Sequence, residues 1–399
     1  MIDSFQRRFI KELKSGFSPE NLDSLETAVQ AITNTKESGG KVVVVTGSGP
    51  NLHEGVTTLI AELIRKGIVD GVTTSSAVIA HEMAGVLDRV KRVDGRSAGF
   101  PSEALPHGGH FELSLVNDER LRDLEKDISL DWSLIERLKS LPGEEIIKAA
   151  GNMGYPMGLW IERLSETILS RCRAEGSPFE EAASAGTDSR TMLGAGFECG
   201  VPVLVTVPQL VGGGSVGIAV GDSIPVRERC QKIAGMMDGA DLIIESAVAL
   251  TQEIHDGPFE TYTGHGVWEA WREGFTYSLA GKKLIRIDLD PVLTEAWKAQ
   301  REDDTVQQAI NRGLPKTKLL NVPFRMEMSG FARLEGSIPV CSDIGKAWPV
   351  IALEVSENLG IDLDFISFPQ ESEYGREMRN WIADDISPIN RDKVGGIDD

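Results

Sequence analysis

The stretch KVVVVTGSGPNLHEG, residues 41–55, decides the fold. It opens with four consecutive valines at 42–45, and such an unbroken β-branched run predicts a strand buried on both faces of a parallel sheet. The turn cluster 47–51 follows, and then an amphipathic stretch over 55–66 predicts a helix. A second apolar run at 68–74 completes a βαβ unit.

The same alternation of strand and helix returns later in the chain. It predicts the fold class α/β: a doubly wound, mostly parallel, Rossmann-like sheet with a helical insertion. A helix is also expected over 77–89, next to the first βαβ unit. The later strands are predicted at 201–207, 241–245, 283–288 and 337–341, and the later helices at 227–237, 291–301 and 344–358.

These elements divide the chain into four predicted parts. Residues 1–90 hold N-terminal helices and the first βαβ unit, and 91–190 form a helical insertion or covering layer. Residues 191–312 supply the remainder of the nucleotide-binding sheet. Residues 313–399 form a C-terminal extension packed on the core, and its Gly- and Asp-rich tail 387–399 is expected to be disordered.

The composition excludes several classes of function. In the 399 residues, 61 Asp and Glu outnumber 41 Lys and Arg, which gives a net charge of −20. Because the basic residues are scattered, the sequence does not predict a nucleic-acid-binding protein. The negative charge also disfavours binding to an anionic membrane surface. No apolar run reaches the ~18 residues of a membrane span, and no apolar block precedes a cleavage site, so we expect a cytoplasmic protein.

The cysteines and histidines do not predict a metal site. The four cysteines form no CxxC pair, which argues against a disulfide framework or a zinc ribbon. His107 and His110 flank two glycines, but no HExxH or Cys/His ligand spacing accompanies them. We therefore expect no metal.

Candidate ligand-binding residues follow the predicted strands, because ligands of open α/β sheets bind beyond the carboxyl ends of the strands. Each also has an ordinary structural interpretation: the glycines as tight turns or a mobile lid, the hydroxyls and the acidic residues as helix caps. The acidic residue after the strand at 283–288 would favour a ribose 2′-hydroxyl over a 2′-phosphate. The cofactor-binding candidates are Gly47, Ser48, Gly49, Asn51, Thr74, Ser75, Ser76, Gly212, Gly213, Gly214, Glu245 and Asp288.

Two further residues are candidates for catalysis. His81 and Glu82 lie on the helix that follows the second strand, about one and a half turns from its start. An imidazole in that place suits a general base, although a lone helical histidine also serves as an ordinary structural residue.

Taken together, these segments resemble a known family. Residues 40–85 resemble the NAD-binding core of the deoxyhypusine-synthase-like superfamily, and more closely the conserved domain labelled lysine-oxoglutarate reductase/saccharopine dehydrogenase, found in the archaeal-type NAD-dependent ornithine cyclodeaminase. The family motif GGNAxAxHD is matched in spacing by Thr74-Ser75-Ser76-Ala77 and His81-Glu82. The similarity continues at 192–205, 239–244 and 287–291.

The resemblance implies NAD bound across the strand ends, with Gly47, Ser48, Gly49 and Asn51 near its phosphates and Asp288 near a ribose. It also implies that His81 and Glu82 face the reacting centre of a small amine or amino acid, which is oxidised and deaminated. This chain departs from the family pattern, because Thr74-Ser75-Ser76 replaces Gly-Gly-Asn and Glu82 replaces Asp. The lysine of deoxyhypusine synthase has no evident counterpart, which disfavours that activity.

Three functions remain open at this point. The first is an NAD-dependent enzyme acting on a small amine or amino acid, as a homo-oligomer. The second is a nucleotide-binding or regulatory protein without catalysis, and the third is an enzyme for another phosphate-bearing ligand, such as thiamine diphosphate or a sugar phosphate. A mouth rich in carboxylates would attract a cationic amine; its members are Glu82, Asp222, Glu245, Asp256 and Asp288.

Overall fold

The valine run lies at the centre of a parallel sheet. A computed structural model describes residues 2–47, 49–151, 153–247, 277, 279, 281–287, 308, 312 and 337–394. Within them, six parallel strands pair in the order β6-β2-β1-β7-β8-β9. The strands are β1 (Val42–Thr46), β2 (Gly71–Thr74), β6 (Val203–Val205), β7 (Leu242–Ser246), β8 (Lys283–Ile287) and β9 (Ile338–Val340).

Helices cover both faces of this sheet, as the unbroken apolar strands require. On one face Val42 and Val44 pack in the same core as Ile32. On the other face Val43 and Val45 pack in a second core, with Ile233 and Met237 among others. The helices are α1 (Ser4–Ser15), α2 (Pro19–Glu37), α3 (Pro50–His53), α4 (Val56–Arg65), α5 (Ser76–Met83), α6 (Asp118–Leu124), α7 (Trp132–Ser140), α8 (Met157–Glu175), α9 (Phe179–Ser184), α10 (Met192–Cys199), α11 (Gly214–Ser223), α12 (Val226–Asp238), α13 (Ile344–Leu359), α14 (Glu373–Asp385) and α15 (Arg391–Val394).

The predicted α/β fold class is confirmed. If the six strands of the central sheet are ranked by their order in the chain, their spatial order is 3-2-1-4-5-6. This is the strand order of dinucleotide-binding Rossmann folds. The helix predicted at 291–301 lies outside the described residues and stays a prediction.

The stretch 91–190 is not only helical, as the sequence analysis expected. It contributes to an antiparallel three-stranded sheet with the order β4-β3-β5. The strands are β3 (Leu87–Asp94), β4 (His110–Ser114) and β5 (Gly143–Ala149). The apolar residues of β3, Leu87, Val90 and Val93, are spaced by three, which imitates a helical pattern and explains the error. The helix expected over 77–89 accordingly ends at Met83.

The expectation of a disordered tail over 387–399 is wrong for residues 387–394. Ile389 and Val394 are buried in the main core. The amide of Ile389 donates to the carbonyl of Met83, and the amide of Asn390 donates to the carbonyl of Gly186. Burial of these apolar side chains and pairing of the backbone amides outweigh the polar composition that suggested disorder. The division of the chain at 90, 190 and 312 stays a prediction.

A buried ion pair closes the outer side of β6. Because the amide of Thr206 donates to Thr74 on β2, the neighbouring amide of Val205 points away from the sheet. That amide donates to the Glu180 carboxylate at 2.6 Å. The same carboxylate pairs with the guanidinium of Arg229, and both side chains are almost fully buried. Helices α9 and α12 are thereby joined across the end of the strand.

We predict that Glu180→Gln destabilises the protein strongly. The amide oxygen of glutamine still accepts from Val205, but Arg229 keeps a buried charge without its partner, which costs about 3–5 kcal/mol. The matched control is Arg173→Gln, which breaks an exposed pair with Asp222 and should cost about 0–1 kcal/mol. Urea unfolding of both variants measures the difference, and equal losses would contradict the prediction.

Candidate functional site

The strand order places a crevice beside β1. The chain leaves β1 for β2 on one side, whereas β7 takes up the other side. Connections that run in opposite directions from neighbouring strands leave an opening at their carboxyl ends, and this is where such folds bind nucleotides. The loops after Thr46, Thr74, Val205 and Ser246 border that opening.

The loop after β1 is fixed by a buried amide. Asn51 is fully buried, and its Oδ1 accepts from the Ser246 hydroxyl at 2.5 Å. Its Nδ2 donates to the carbonyl of Gly47 at 3.4 Å. Ser246 in turn accepts from the indole Nε1 of Trp348 at 2.9 Å. Asn51 therefore joins the ends of β1 and β7, and its amide is engaged within the protein.

The same loop presents free backbone at Gly49. This residue has a φ of +46°, and no atom of the described residues lies within 4 Å of the place where a Cβ would stand. The backbone here borders open space, as a ligand-binding glycine requires. Ser48, the remaining candidate in this loop, lies outside the described residues.

Two threonines at the ends of neighbouring strands have unsatisfied hydroxyls. Thr74 ends β2 and Thr206 follows β6, and the amide of Thr206 donates to the Thr74 carbonyl at 2.8 Å. Both Oγ1 atoms are buried and, among the described residues, make no hydrogen bond. A buried hydroxyl without a partner costs about 1–3 kcal/mol. A bound polar ligand at this edge would supply the missing partners.

The serines after β2 and the triple glycine meet each other. The Ser75 hydroxyl caps α5 by accepting from the amide of Val78. The Ser76 hydroxyl donates to the carbonyls of Gln209 and Gly212, at 2.8 and 3.1 Å. At Gly213 a Cβ would lie 3.0 Å from the backbone of Ser76 and Ala77, so a glycine is needed for this approach.

The remaining glycine of that run, Gly214, begins α11 at a φ of +64°. Together with Gly212 and Gly213 it therefore belongs to a loop that is packed on the first turn of α5. The structure thus brings the predicted serines and glycines together, and it gives each of them a contact within the protein.

Glu245 is held in an ion pair on the sheet. It lies opposite Arg286 on the neighbouring strand β8, and Arg286 Nε is 2.8 Å from Glu245 Oε2. Both side chains are buried. Asp288, the partner expected for a ribose, lies outside the described residues.

His81 has the chemistry of a neutral base. Its Nδ1 lies 2.5 Å from the carbonyl oxygen of Ala150, which can only accept, so Nδ1 carries the proton. Nε2 is then left with its lone pair. Burial of the ring, together with the charge of Lys148, lowers the pKa of His81 below its usual value of 6.5, against the smaller opposing effect of that hydrogen bond.

The sequence analysis missed a group of basic side chains near His81. We call His53, Lys148 and Arg379 the basic cluster; they lie on α3, β5 and α14. A guanidinium nitrogen of Arg379 lies 3.4 Å from His53 Nδ1 and donates to the carbonyl of Ile147 at 2.6 Å. Lys148 donates to Glu112 at 2.6 Å.

These charges act on one another. Burial lowers the pKa of His53, and the charges of Arg379, His81 and Lys148 lower it further. Lys148 and Arg379 could not be found from the sequence, because the strand β5 was predicted as helix and α14 lies outside the family resemblance. His53 stands in the opening motif, but its spacing there matches no ligand or catalytic pattern.

Glu82 lies in a different environment from His81. Its fully buried carboxylate accepts from the amides of Met192 and Leu193, at 2.9 and 3.0 Å. These amides belong to the first turn of α10, whose positive end favours a carboxylate. Burial nevertheless raises the pKa of Glu82 to about 7. The structure assigns Glu82 this capping contact, and the catalytic role stays a prediction.

The predicted carboxylate mouth is not formed by its described members. Glu82 caps a helix, Glu245 is paired with Arg286, and Asp222 is exposed and paired with Arg173. Asp256 and Asp288 lie outside the described residues.

We predict that Glu82→Ala lowers the free energy of unfolding by about 3 kcal/mol, because two buried amides of α10 lose their acceptor. The matched control, Glu198→Ala, removes an exposed carboxylate from the same helix and should change stability by at most about 0.5 kcal/mol. Denaturant unfolding measures both.

The effect should also depend on pH. Since the folded pKa of Glu82 lies above the unfolded value of 4.5, its stabilising contribution is complete below 4.5 and declines as the pH rises through about 7. The difference between wild type and Glu82→Ala should therefore be smaller at about pH 8 than at about pH 5.5. A difference that grows with pH would contradict this assignment.

The strand order defines a Rossmann-like α/β fold with a crevice at the switch in strand order, the place where such folds bind nucleotides. No family model matches the chain. A curated probable deoxyhypusine synthase of Methanopyrus kandleri is 27% identical over 143 residues, which cover 33% of this chain and 46% of that protein. The chain thus matches less than half of that relative's length. The match confirms the deoxyhypusine-synthase-like resemblance found in the motifs.

Three solved structures are among those with similarity to the chain. The apo structure of ArgZ, a cyanobacterial arginine dihydrolase, is 13% identical with a TM-score of 0.39, and covers 86% of this chain and 32% of its own. AgrE in a ternary complex with ornithine and NAD+ is 12% identical with a TM-score of 0.37; the match covers 86% of this chain and 34% of that chain. A putative LOR/SDH protein of Methanococcus maripaludis S2 is 11% identical with a TM-score of 0.39; the match covers 86% of this chain and 71% of that chain.

Helices of the length and apolarity needed to span a bilayer do not occur in the described part of the chain.

Proposed function

We propose that this protein is an enzyme that binds NAD along the carboxyl edge of its central sheet and acts on a small amino acid. The observation that carries the proposal is the 3-2-1-4-5-6 strand order, with a neutral histidine base near the crevice. Oxidation and deamination of an ornithine-type substrate is the specific reaction that the motif resemblance favours.

The residues at the crevice fit a dinucleotide. The hydroxyls of Thr74 and Thr206 are buried donors and acceptors without protein partners in the described residues. Gly49 borders open space at the loop where the phosphates of a dinucleotide are expected. Asn51 holds this loop in place through Ser246 and so acts on the cofactor indirectly.

The protein's own residues prepare the substrate. His81 Nε2 is a lone-pair acceptor at neutral pH and can remove a proton from the substrate ammonium, so that the carbon beside it can give up a hydride. NAD, when bound, supplies the acceptor for a hydride. The charge of Lys148, which is paired with Glu112, acts on His81, and Arg379 contacts His53. These basic side chains favour a substrate that carries a carboxylate, as an amino acid does. For this reason we favour an amino acid over a simple amine.

One observation favours the second candidate, a binding protein without catalysis. Glu82, the residue that matches the acidic position of the family motif, caps α10 and does not share a contact with His81 among the described residues. If NAD binds but no amino acid is turned over, this function replaces the first. Mass spectrometry of the ligand retained on purification distinguishes these two candidate functions, which involve NAD, from the third, an enzyme that binds thiamine diphosphate or a sugar phosphate.

We predict that Thr74→Val and Thr206→Val weaken NAD binding without harming the free protein. Valine has the shape of threonine and removes a hydroxyl that has no partner, so the unfolding free energy should stay the same or rise. Loss of one hydrogen bond to NAD should raise the dissociation constant about three- to tenfold. Isothermal titration calorimetry measures this.

The control is Ser337→Ala, which removes another unpartnered hydroxyl just before β9, at the opposite edge of the sheet. It should leave NAD affinity unchanged. If wild-type protein binds no pyridine nucleotide, the proposal fails; if both threonine variants bind NAD as wild type does, the placement of NAD at these strand ends is wrong.

We predict that turnover requires neutral His81. Activity should fall as the pH drops below the pKa of His81, which lies under 6.5, and His81→Ala should lose about 10²–10⁴-fold in kcat with little change in NAD affinity. Lys148→Met removes a positive charge that lowers this pKa, so the acidic limb of the pH profile should move to higher pH.

The matched control is Lys126→Met, which removes an exposed lysine that is paired with Asp123. It should leave the profile in place. His81 is excluded as the base if Lys148→Met leaves the pH profile of activity unchanged, or if His81→Ala keeps the activity of the wild type.

A further inference from the structure

A cleft of about 280 Å³ lies between β5 and α14, apart from the strand-end crevice. Glu145, Ile146 and Ile147 of β5 line it, together with Arg89 of β3. Its volume lies just below the ~300–1,000 Å³ of drug-sized ligand sites, so it suits a small metabolite. Sequence analysis gave no sign of it, since it joins two elements that were not predicted.

The lining of this cleft is positively charged, in a chain whose net charge is −20. Arg89, Arg376 and Arg379 all contribute to it, against the single carboxylate of Glu145. Arg89 is neutralised by Asp384, whose two oxygens accept from it at 2.6 and 2.7 Å. The charges of the other two arginines are left to the cleft.

Arg379 makes no ion pair with a described carboxylate, although the charge of Glu54 acts on it. Its contacts in the described residues go to His53 and to the carbonyl of Ile147, and its Nε is buried without a hydrogen bond. Arg376 likewise makes no ion pair with any described carboxylate. A partly desolvated guanidinium without an ion-pair partner is unfavourable, and an oxyanion is the group that matches its donors.

We propose that this cleft binds the oxyanion of a small metabolite, a carboxylate or a phosphate, through Arg376 and Arg379, and that its occupancy is transmitted to the candidate active site through the contact of Arg379 with His53. The group in the cleft and His53 would then share one guanidinium. Because the proposal concerns the protein without NAD or amino acid, it goes beyond the proposed function and does not depend on it.

The direction of the coupling follows from electrostatics. Arg379, His81 and Lys148 all face His53 and, together with burial, lower its pKa. An anion on Arg379 offsets one of these positive charges, so the pKa of His53 must rise when the cleft is filled. His53 would carry more charge at neutral pH in the occupied state.

The test uses the full chain without cofactor. Inorganic phosphate and succinate are titrated by calorimetry at constant ionic strength, with sodium chloride as the reference. The titration of His53 is followed by NMR of its ring protons, assigned with His53→Gln. We expect saturable binding of at least one anion and an upward shift of the His53 pKa on saturation.

The variant Arg376→Gln should weaken anion binding about tenfold or more, because the charged guanidinium that donates to the anion is replaced by a neutral amide. Arg376 is exposed, so the variant should fold normally, and the activity without anion should not change. The matched control is Arg163→Gln, an exposed arginine on α8, which should bind the anion as wild type does.

Each outcome decides the proposal. Preference for phosphate or for succinate supports it and tells whether the ligand carries a phosphate or carboxylates. Absence of saturable binding, or equal affinity in Arg376→Gln, overturns the site. Binding that leaves the His53 titration unmoved overturns the coupling. None of these outcomes depends on whether NAD binds.

Discussion

The parallel pairing of β1 with β2 on one side and β7 on the other is the constraint on which the rest of the structure depends. Four valines without a polar interruption can be buried only if helices cover both faces of the strand. Parallel neighbours on both sides also force the chain to cross over in two directions, which opens the crevice at the strand ends. The site is therefore a consequence of where the first strand must lie.

The central sheet could be predicted because its signal is local. A β-branched run predicts a buried strand, and the glycines after it predict a tight turn, without knowledge of any other part of the chain. The second sheet could not be predicted, since β3 carries its apolar residues three apart and charged residues between them. Its strands are specified by pairing with β4 and β5, which is not visible in one segment.

The candidate site, like the fold, could be predicted where the signal is local and could not where it depends on distant segments. Thr74 ends a strand, Gly49 lies in the turn after a strand, and His81 lies on the helix that follows a strand. The structure leaves them, respectively, a hydroxyl without a described partner, a backbone position beside open space and a ring nitrogen. Glu82 and Glu245 were recognised as carboxylates near strand ends, but their partners come from distant segments. Met192 is 110 residues from Glu82, and Arg286 is 41 from Glu245. Burial converts such groups from ligand candidates into structural contacts, and only the folded chain shows which has happened.

The contact of Glu180 with the outward amide of Val205 bears on how copies of this protein can meet. An edge strand with free amides invites another strand to continue the sheet. Here an incoming strand would have to displace a carboxylate that is already paired with Arg229. On the far side of the described sheet, Pro339 in β9 has no amide hydrogen to offer. At each described edge of the central sheet, an incoming strand would therefore meet at least one position without a free amide.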